Sequence, residues 1–269
     1  MKQTITAIIP AKNEEKNIER CIKSLSWCDK VQVLWMGEDK TGKIAESLGA
    51  EVVERNKKAE SDFVAVQENI NWAIKNATTD WILRIDADEA VTPELQQEIE
   101  TVLTTDNSLQ PNNLPTAYGV PRKQYFMGEF LTGGDWAYDR LVRLFRTDAA
   151  KYDPIVEVHE QFKITGNIGY LQHALEHYSH PTLKDAIHKF NIYTSMEAKH
   201  LQVSRFTALM KMIFLPPYIF LRWMIWHKGF KDGTRGVIAG FLRGWYDFLV
   251  YAKYLQLVLL PDSDNLSKS

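Results

Sequence analysis

The chain has 269 residues, of which 45% are hydrophobic and 25% charged, and its formal net charge is −2. This length suits one globular domain with an appendage or two small domains, with enough apolar surface for a core that needs no covalent staples. The only cysteines, Cys21 and Cys28, show neither a disulfide framework nor metal-ligand spacing, which excludes a stapled secreted domain and predicts a reducing compartment.

The N-terminus predicts a cytoplasmic protein. It begins with polar residues and passes directly into an apolar strand, without the apolar core of a signal peptide. Strands are predicted at residues 4–10, 31–35, 51–54 and 81–85, and helices at 13–25, 41–48, 61–76 and 94–103. Asn13 is the expected N-cap of the first helix. This alternation predicts an α/β fold with a mostly parallel sheet.

The second half of the chain has a different pattern. Residues 118–170 indicate short strands and turns, and residues 184–201 a helix. From Lys199 to Gln256 there are nine Lys or Arg residues and two acids, with many aromatic residues between them. Basic, aromatic-rich segments are typical of surfaces that meet anionic lipid headgroups. The intervening Leu, Ile, Met and Val residues are too apolar for a groove that follows a nucleic-acid backbone, so no nucleic-acid partner is expected.

Residues 213–226 are the most apolar stretch. Pro216, Pro217 and Arg222 interrupt it, and it is shorter than the roughly 20 residues that a regular transmembrane helix needs. We therefore expect this stretch to lie in the membrane interface rather than to cross the bilayer.

Two acids, Asp86 and Asp88, come directly after the strand at 81–85. Ligands bind at the carboxyl ends of strands in open α/β sheets, and residues two apart on an extended chain share one face. Two carboxylates aimed at one point need a cation between them, and oxygen ligands suit Mg²⁺ or Mn²⁺. Such a metal stabilises a departing diphosphate. A solvated acidic turn is the alternative.

Three sequence stretches together resemble the family 2 glycosyltransferases, most closely the bacterial branch that includes lipopolysaccharide-core glucosyltransferases. They are Ile-Ile-Pro-Ala-Lys-Asn-Glu-Glu at 8–15, Thr-Gly-Lys-Ile-Ala-Glu-Ser-Leu-Gly at 41–49, and the run from Asp80 to Pro93. The resemblance implies a GT-A fold, a metal-dependent and inverting transfer, and a nucleotide-sugar donor, with a UDP-sugar expected. It also implies a catalytic domain at 1–180, with donor and acceptor halves at about 1–103 and 118–180.

The same resemblance assigns roles to individual residues. Asp88 would ligate the metal, and Asp86 would contact the metal or the ribose. His177 would complete the metal site or touch phosphate, and a structural histidine is its alternative. The other residues implied in donor binding are Pro10, Ala11, Asn13, Glu15, Asp39, Gln67, Arg140, Arg143 and His159. Gln67 and Asn69 lie on one helix, and an exposed helix face is their alternative; Arg140 and Arg143, as alternating residues on a strand, could equally be solvated. Leu34 or Trp35 replaces the acid that usually touches the base, and Trp35 either stacks on a base or belongs to the core.

The acceptor half supplies the expected catalytic base. An inverting transfer needs one base to take the proton of the attacking hydroxyl. Related enzymes have a Glu-Asp pair where this chain has His159-Glu160, so Glu160 is the expected base. Two amphipathic helices, within a membrane-associating region at 181–260, would present a lipid-linked glycan from the inner leaflet; packing on the core or on a second subunit is the alternative. Residues 261–269 are expected to be disordered.

Two other functions compete with the transferase. A nucleotidyltransferase also pairs acids with a metal, but it would need a glycine-rich phosphate loop near the N-terminus, and residues 10–15 contain no glycine. A non-catalytic nucleotide-sugar or membrane-binding scaffold is compatible with the substitution near Trp35. The retention of Asp86, Asp88 and Glu160 together argues against it.

Overall fold

A computed structural model describes residues 3–55, 63–105, 114–138, 140–152 and 162–260. The chain forms two compact units, the first made of residues 1–122 and 139–177 and the second of residues 123–138 and 178–269. The second unit thus takes in residues 123–138, which the sequence analysis grouped with the catalytic domain. His159, Glu160 and the tail 261–269 lie outside the described residues.

The first part of the chain alternates strands and helices up to β4, as the sequence predicts, and a short strand that was not predicted, β5, follows β4. Its elements are β1 (Ile5–Ala11), α1 (Ile18–Lys23), β2 (Lys30–Trp35), α2 (Thr41–Ser47), β3 (Glu51–Glu54), α3 (Phe63–Asn76), β4 (Trp81–Arg84), β5 (Glu89–Val91) and α4 (Pro93–Thr105). Strands β3, β2, β1 and β4 are neighbours in this order and pair in parallel. Two apolar clusters, one on each face of β1, form the core of this unit: Ile5 and Ile9 belong to one and Ile8 to the other.

The later strands are mostly antiparallel. They are β6 (Ala117–Phe126), β7 (Glu129–Phe130), β8 (Arg140–Arg146), β9 (Ala150–Tyr152), β10 (Phe162–Ile164), β11 (Ile168–Tyr170) and β12 (Leu175–His180). Strand β8 pairs with β4 and with β6, and β12 pairs with β5, all antiparallel. The prediction of a mixed, mostly parallel α/β sheet in the GT-A manner is confirmed.

The chain after β1 does not form the helix that the periodicity predicts from residue 13. Helix α1 begins only at Ile18, with Asn17 at its N-cap position. Asn13 has a φ of 58°, in the left-handed region, where asparagine is tolerated better than most residues. The prediction of Asn13 as the N-cap is therefore wrong, because residues 12–16 form a loop over the end of β1.

Three helices follow β12: α5 (Leu183–His200), α6 (Arg205–Ile225) and α7 (Gly233–Leu259). Ser204 and Thr182 cap α6 and α5 with their side-chain oxygens. The expectation that Pro216 and Pro217 interrupt the apolar stretch is wrong, because α6 runs through both prolines as one helix of 21 residues. It is also the one helix in the described ranges that is long and apolar enough, by length and composition alone, to cross a bilayer.

Helix α6, with its two internal prolines, packs closely on α7. A Cβ at Gly244 of α7 would lie 2.7 Å from the carbonyl oxygen of Pro216, and one at Gly240 would lie 2.6 Å from the ring of Trp223. Trp223 is fully buried, and its indole N–H donates to the carbonyl of Gly236 at 3.0 Å. Glycines four residues apart on α7 thus let α6 approach its backbone closely at Pro216 and Trp223.

Candidate functional site

Two loops at the carboxyl ends of β1 and β2 are tied together. The carboxylate of Asp39 accepts hydrogen bonds from the backbone N–H groups of Glu15 and Thr41, both at 3.1 Å. Burial opposes ionisation, but these hydrogen bonds outweigh it and lower the pKa of Asp39. The Asn13 Oδ1 accepts from the N–H of Glu38 at 3.3 Å. Three predicted donor-binding residues, Asn13, Glu15 and Asp39, therefore lie together, and Asn13 and Asp39 use their side chains to shape the loops.

Pro10 and Ala11 end β1 beside these loops. Ala11 is buried, and its carbonyl accepts from the N–H of Met36 at 2.9 Å. Trp35, at the end of β2, is half-buried and packs against the main core. Its ring covers Gly42, where an added Cβ would lie 2.8 Å from the ring carbon Cε3. Trp35 thus has the core contacts that the sequence analysis allowed for, and its stacking on a base stays a prediction.

Helix α3 buries two of its polar residues. Gln67 and Asn69 are 1% and 2% exposed, so the alternative of an exposed helix face is wrong for both. Asn69 accepts from the Nε of Arg55 at 3.2 Å and donates to the Sδ of Met36 at 3.4 Å. Since buried amides are kept only where they are hydrogen-bonded, this side of α3 joins the loops after β2 and β3 into one polar layer.

The acids after β4 form a turn rather than an extended strand. The N–H of Glu89 donates to the carbonyl of Asp86 at 2.9 Å, which closes the turn over Ala87 and Asp88. The prediction that Asp86 and Asp88 share one face of an extended chain is therefore wrong. Asp86 instead directs its Oδ2 to two guanidinium groups, that of Arg84 at 2.8 Å and that of Arg143 at 2.5 Å.

Glu89 is the buried centre of this charge cluster. It is 0% exposed, and its Oε2 accepts from the N–H of Asp86 at 2.9 Å. Its Oε1 accepts from Arg143 at 3.0 Å and from Arg122 at 3.4 Å. Burial raises the pKa of Glu89 to about 7; the charge of Asp86 adds to the rise, while His177 and the nearby arginines oppose it. The buried carboxyl of Glu89 therefore titrates near neutral pH, next to the turn at Ala87 and Asp88.

Asp88 faces a histidine from a different strand. The Nε2 of His177 lies 3.4 Å from the Oδ1 of Asp88, because His177 on β12 is in register with Glu89 on β5. Both side chains are mostly buried, at 14% and 11% exposure. No group of three or more His, Cys, Asp and Glu suited to a metal occurs in the described ranges. Asp88 and His177 fit two positions of a divalent ion. Arg84 and Arg143 both contact Oδ2 of Asp86, and the contact of Asp86 with a metal or a ribose stays a prediction.

The two arginines of β8 have different surroundings. Arg140 is exposed, with its guanidinium 5.8 Å from the ring centre of Tyr170. Arg143 is 2% exposed and bonded to carboxylates. The description of the pair as alternating residues is wrong, because they are three apart and the pairing of β8 with β6 slips between Val142 and Leu144. A bulge of this kind re-aims a side chain, and here it directs Arg143 to the acids.

Three residues of the site, Arg84, Glu89 and Arg122, have no role predicted from the sequence. A signal for Arg84 existed, since an arginine interrupts the otherwise apolar strand that precedes the acids. Glu89 stood within the acidic run, but only its burial distinguishes it from a solvated acid. The expected catalytic base Glu160 and its neighbour His159 fall in a stretch that the structure does not describe, so their roles stay predictions.

Comparison with known proteins agrees with the fold. The model of the family "Glycosyl transferase family 2" matches residues 6–179. A lipopolysaccharide core biosynthesis glycosyltransferase, LpsC of Rhizobium meliloti (strain 1021), is 27% identical over 98% of this chain and 97% of its own length. An uncharacterized glycosyltransferase of Rickettsia bellii (strain RML369-C) is 30% identical over 90% of this chain and 85% of its own.

Among solved structures, S. aureus TarS aligns over 86% of this chain with 14% identity and a TM-score of 0.45. This chain spans 46% of that protein, less than half of its length. Because the family model covers well over half of the present chain, including both loops and the acidic turn, the chain belongs to glycosyl transferase family 2.

Proposed function

We propose that this glycosyltransferase moves a sugar from a nucleoside-diphosphate donor to a hydroxyl of a lipid-linked glycan of the cell envelope, such as the lipopolysaccharide core, with inversion. The main observation in support of the donor site is the contact between Asp88 and His177. It lies at the acidic turn after β4, next to the loops of β1 and β2. The similarity to LpsC along nearly the whole chain supports an envelope glycan as the acceptor.

A divalent ion, Mg²⁺ or Mn²⁺, fits this site as cofactor. Asp88 and His177 would hold it, and oxygen atoms of the donor and of water would supply its other ligands. When bound, the ion neutralises the charge that develops on the diphosphate as it leaves. The chain's own contribution is to keep both ligands mostly buried and adjacent, with β5 and β12 in fixed register.

The buried arginines make the site acceptable to an anion. Three guanidinium groups, of Arg84, Arg122 and Arg143, oppose the carboxylates of Asp86 and Glu89. Because three guanidinium groups face two carboxylates, the cluster behind Asp88 carries no net negative charge that would repel a diphosphate. A UDP-sugar is the proposed donor, and Trp35 the proposed contact to its base.

Two further parts of the proposal concern the acceptor. Glu160 would remove the proton of the attacking hydroxyl, with His159 at its side, since inversion in one step needs a single base. The basic, aromatic-rich helices of the second unit would hold the enzyme at the inner face of the cytoplasmic membrane, where a lipid-linked glycan is available. The protein would then be cytoplasmic and peripherally attached.

The test is calorimetric binding of UDP, GDP, ADP, CMP and dTDP, with and without Mn²⁺, to the wild type and to Asp88→Asn. We expect one nucleotide to bind in a metal-dependent manner and Asp88→Asn to weaken it at least tenfold. Asp148→Asn is the matched control, because Asp148 is an exposed carboxylate of the same unit and lies 3.8 Å from its partner Arg146. Absence of nucleotide binding in every condition would instead support a membrane-associated scaffold.

A further inference from the structure

The outward side of α6 is an apolar surface of unusual extent. We call it the α6 face and define it by Phe206, Met210, Ile213, Phe214, Leu221 and Ile225. Each of these side chains is exposed, from 39% for Met210 to 71% for Phe206. They recur at helical spacing over five turns of the helix. Large contiguous apolar surfaces of this kind mark protein or membrane interaction sites.

Charge distribution on α6 narrows the choice of partner. The helix contains no acidic residue. Arg222, the one charge in its C-terminal half, is turned toward Asp135, with which it forms an ion pair, and His227 lies 3.3 Å from the same carboxylate. The exposed cations are Arg205 and Lys211 on the helix and Lys228 just after its end. The α6 face is thus uncharged along its length and has cations beside it, which complements anionic headgroups over hydrocarbon.

The cations beside the α6 face also make a second copy of the chain a poorer partner for this face than an anionic membrane. In a two-fold symmetric interface the α6 face would meet itself. The exposed cations beside it would then approach their own copies, and α6 offers no acid to pair with them.

The packing of α6 decides how it meets a bilayer. The opposite side of the helix is covered by α7, through the glycine contacts at Gly240 and Gly244. If α6 crossed the bilayer, α7 would have to follow with Arg243 and Asp247, and charged residues cost about 2.5–3.5 kcal/mol each at the bilayer centre. Insertion of the α6 face alone leaves α7 above the hydrocarbon.

From these observations we propose that the α6 face is the membrane-docking surface of the protein, with α6 lying in the plane of the interface of an anionic bilayer. This inference rests on the membrane association in the proposed function and deepens it by naming the inserted helix, its face and the lipid charge.

Vesicle sedimentation of the full chain tests the inference. We expect stronger binding to phosphatidylcholine vesicles that contain phosphatidylglycerol than to pure phosphatidylcholine, and weaker binding at high salt. The double variant Phe214→Ser, Ile225→Ser should bind at least about tenfold more weakly, since two large apolar side chains lose their burial. Ile168→Ser with Ile192→Ser is the matched control, because these exposed isoleucines lie outside α6.

A positional readout accompanies the binding assay. Phe214→Trp should be quenched by bromine-labelled lipid tails beyond the wild type, whereas Ile192→Trp on α5 should not. Nucleotide calorimetry on the same variants separates the two proposals: loss of vesicle binding with intact nucleotide binding is expected for the α6 face. If the wild type binds vesicles but no nucleotide, the proposed transferase site is refuted and the proposal for the α6 face is not.

Three outcomes would overturn the inference. The first is wild-type protein that does not bind anionic vesicles. The second is a dimer in analytical ultracentrifugation that Phe214→Ser, Ile225→Ser converts to a monomer, which would make a second copy the occupant. The third is membrane-bound protein that resists extraction at alkaline pH, which would show a spanning helix.

Discussion

Substitution of Glu89 by glutamine should change how the stability of the first unit depends on pH. The pKa of Glu89 is raised from its usual 4.5 to about 7 in the folded chain. Between these values the folded state binds a proton that the unfolded state does not, so the free energy of unfolding falls by 1.36 kcal/mol per pH unit as pH rises. Over the whole interval the free energy of unfolding falls by about 3 kcal/mol. This contribution is fully present below pH 4.5 and lost above pH 7.

Glutamine has no proton to lose in this range and resembles the protonated acid. Relative to the wild type, Glu89→Gln should therefore gain up to about 3 kcal/mol of stability between pH 4.5 and pH 7.5. Hydrogen exchange of the amides in β1 and β4 measures this gain in stability, because these strands belong to the core of the first unit. Comparing both proteins at each pH cancels the intrinsic exchange rates.

Glu98 provides the control of opposite sign. Burial acts to raise the pKa of Glu98, but hydrogen bonds from His173 and Gln172 outweigh it and lower the pKa. The ionised Glu98 stabilises the fold above its unfolded pKa, and this stabilisation is lost as pH falls. Glu98→Gln should therefore be less stable than the wild type near neutral pH, and this difference should disappear in acid. A pH-independent difference between wild type and Glu89→Gln would refute the reasoning, because it would mean that Glu89 keeps one protonation state throughout.

The remaining predictions concern the second unit. Gly236→Ala should destabilise it by several kcal/mol or prevent its folding, because the new Cβ would lie 1.8 Å from the carbonyl oxygen of Gly229; thermal unfolding by circular dichroism measures this. Asp232→Ala should loosen the loop at Thr132, whose N–H and hydroxyl both donate to that carboxylate, and limited proteolysis should then cut there faster. Ser204→Ala removes the N-cap of α6 and should cost about 1 kcal/mol in urea unfolding, whereas Ser204→Asp should restore it.

The sequence by itself was sufficient for the order of elements in the first hundred residues, except for the short strand β5. The apolar runs of β1, β2 and β4 and the period-3.6 pattern of α4 are evident in the sequence because these elements pack into the apolar clusters of the first unit. Family membership also followed from local motifs, whose backbone conformations depend on neighbouring residues. Even the placement of the acids at the end of β4 needed only the rule that ligands meet the carboxyl ends of parallel strands.

Other features depended on residues that are far apart in the chain. No residue near Asp86 in the sequence indicates that Arg143, 57 residues later, pairs with its carboxylate. Nor does the sequence indicate the shift in strand pairing that directs Arg143 to the acids. The same holds for α6, where local propensity disfavours Pro216 and Pro217 but the helix continues through both and packs closely on Gly244 of α7. Propensity counts only neighbours in sequence, whereas burial and ion pairing are set by neighbours in space. The tertiary structure therefore decided which charges of the site are already engaged and which side of α6 is left exposed.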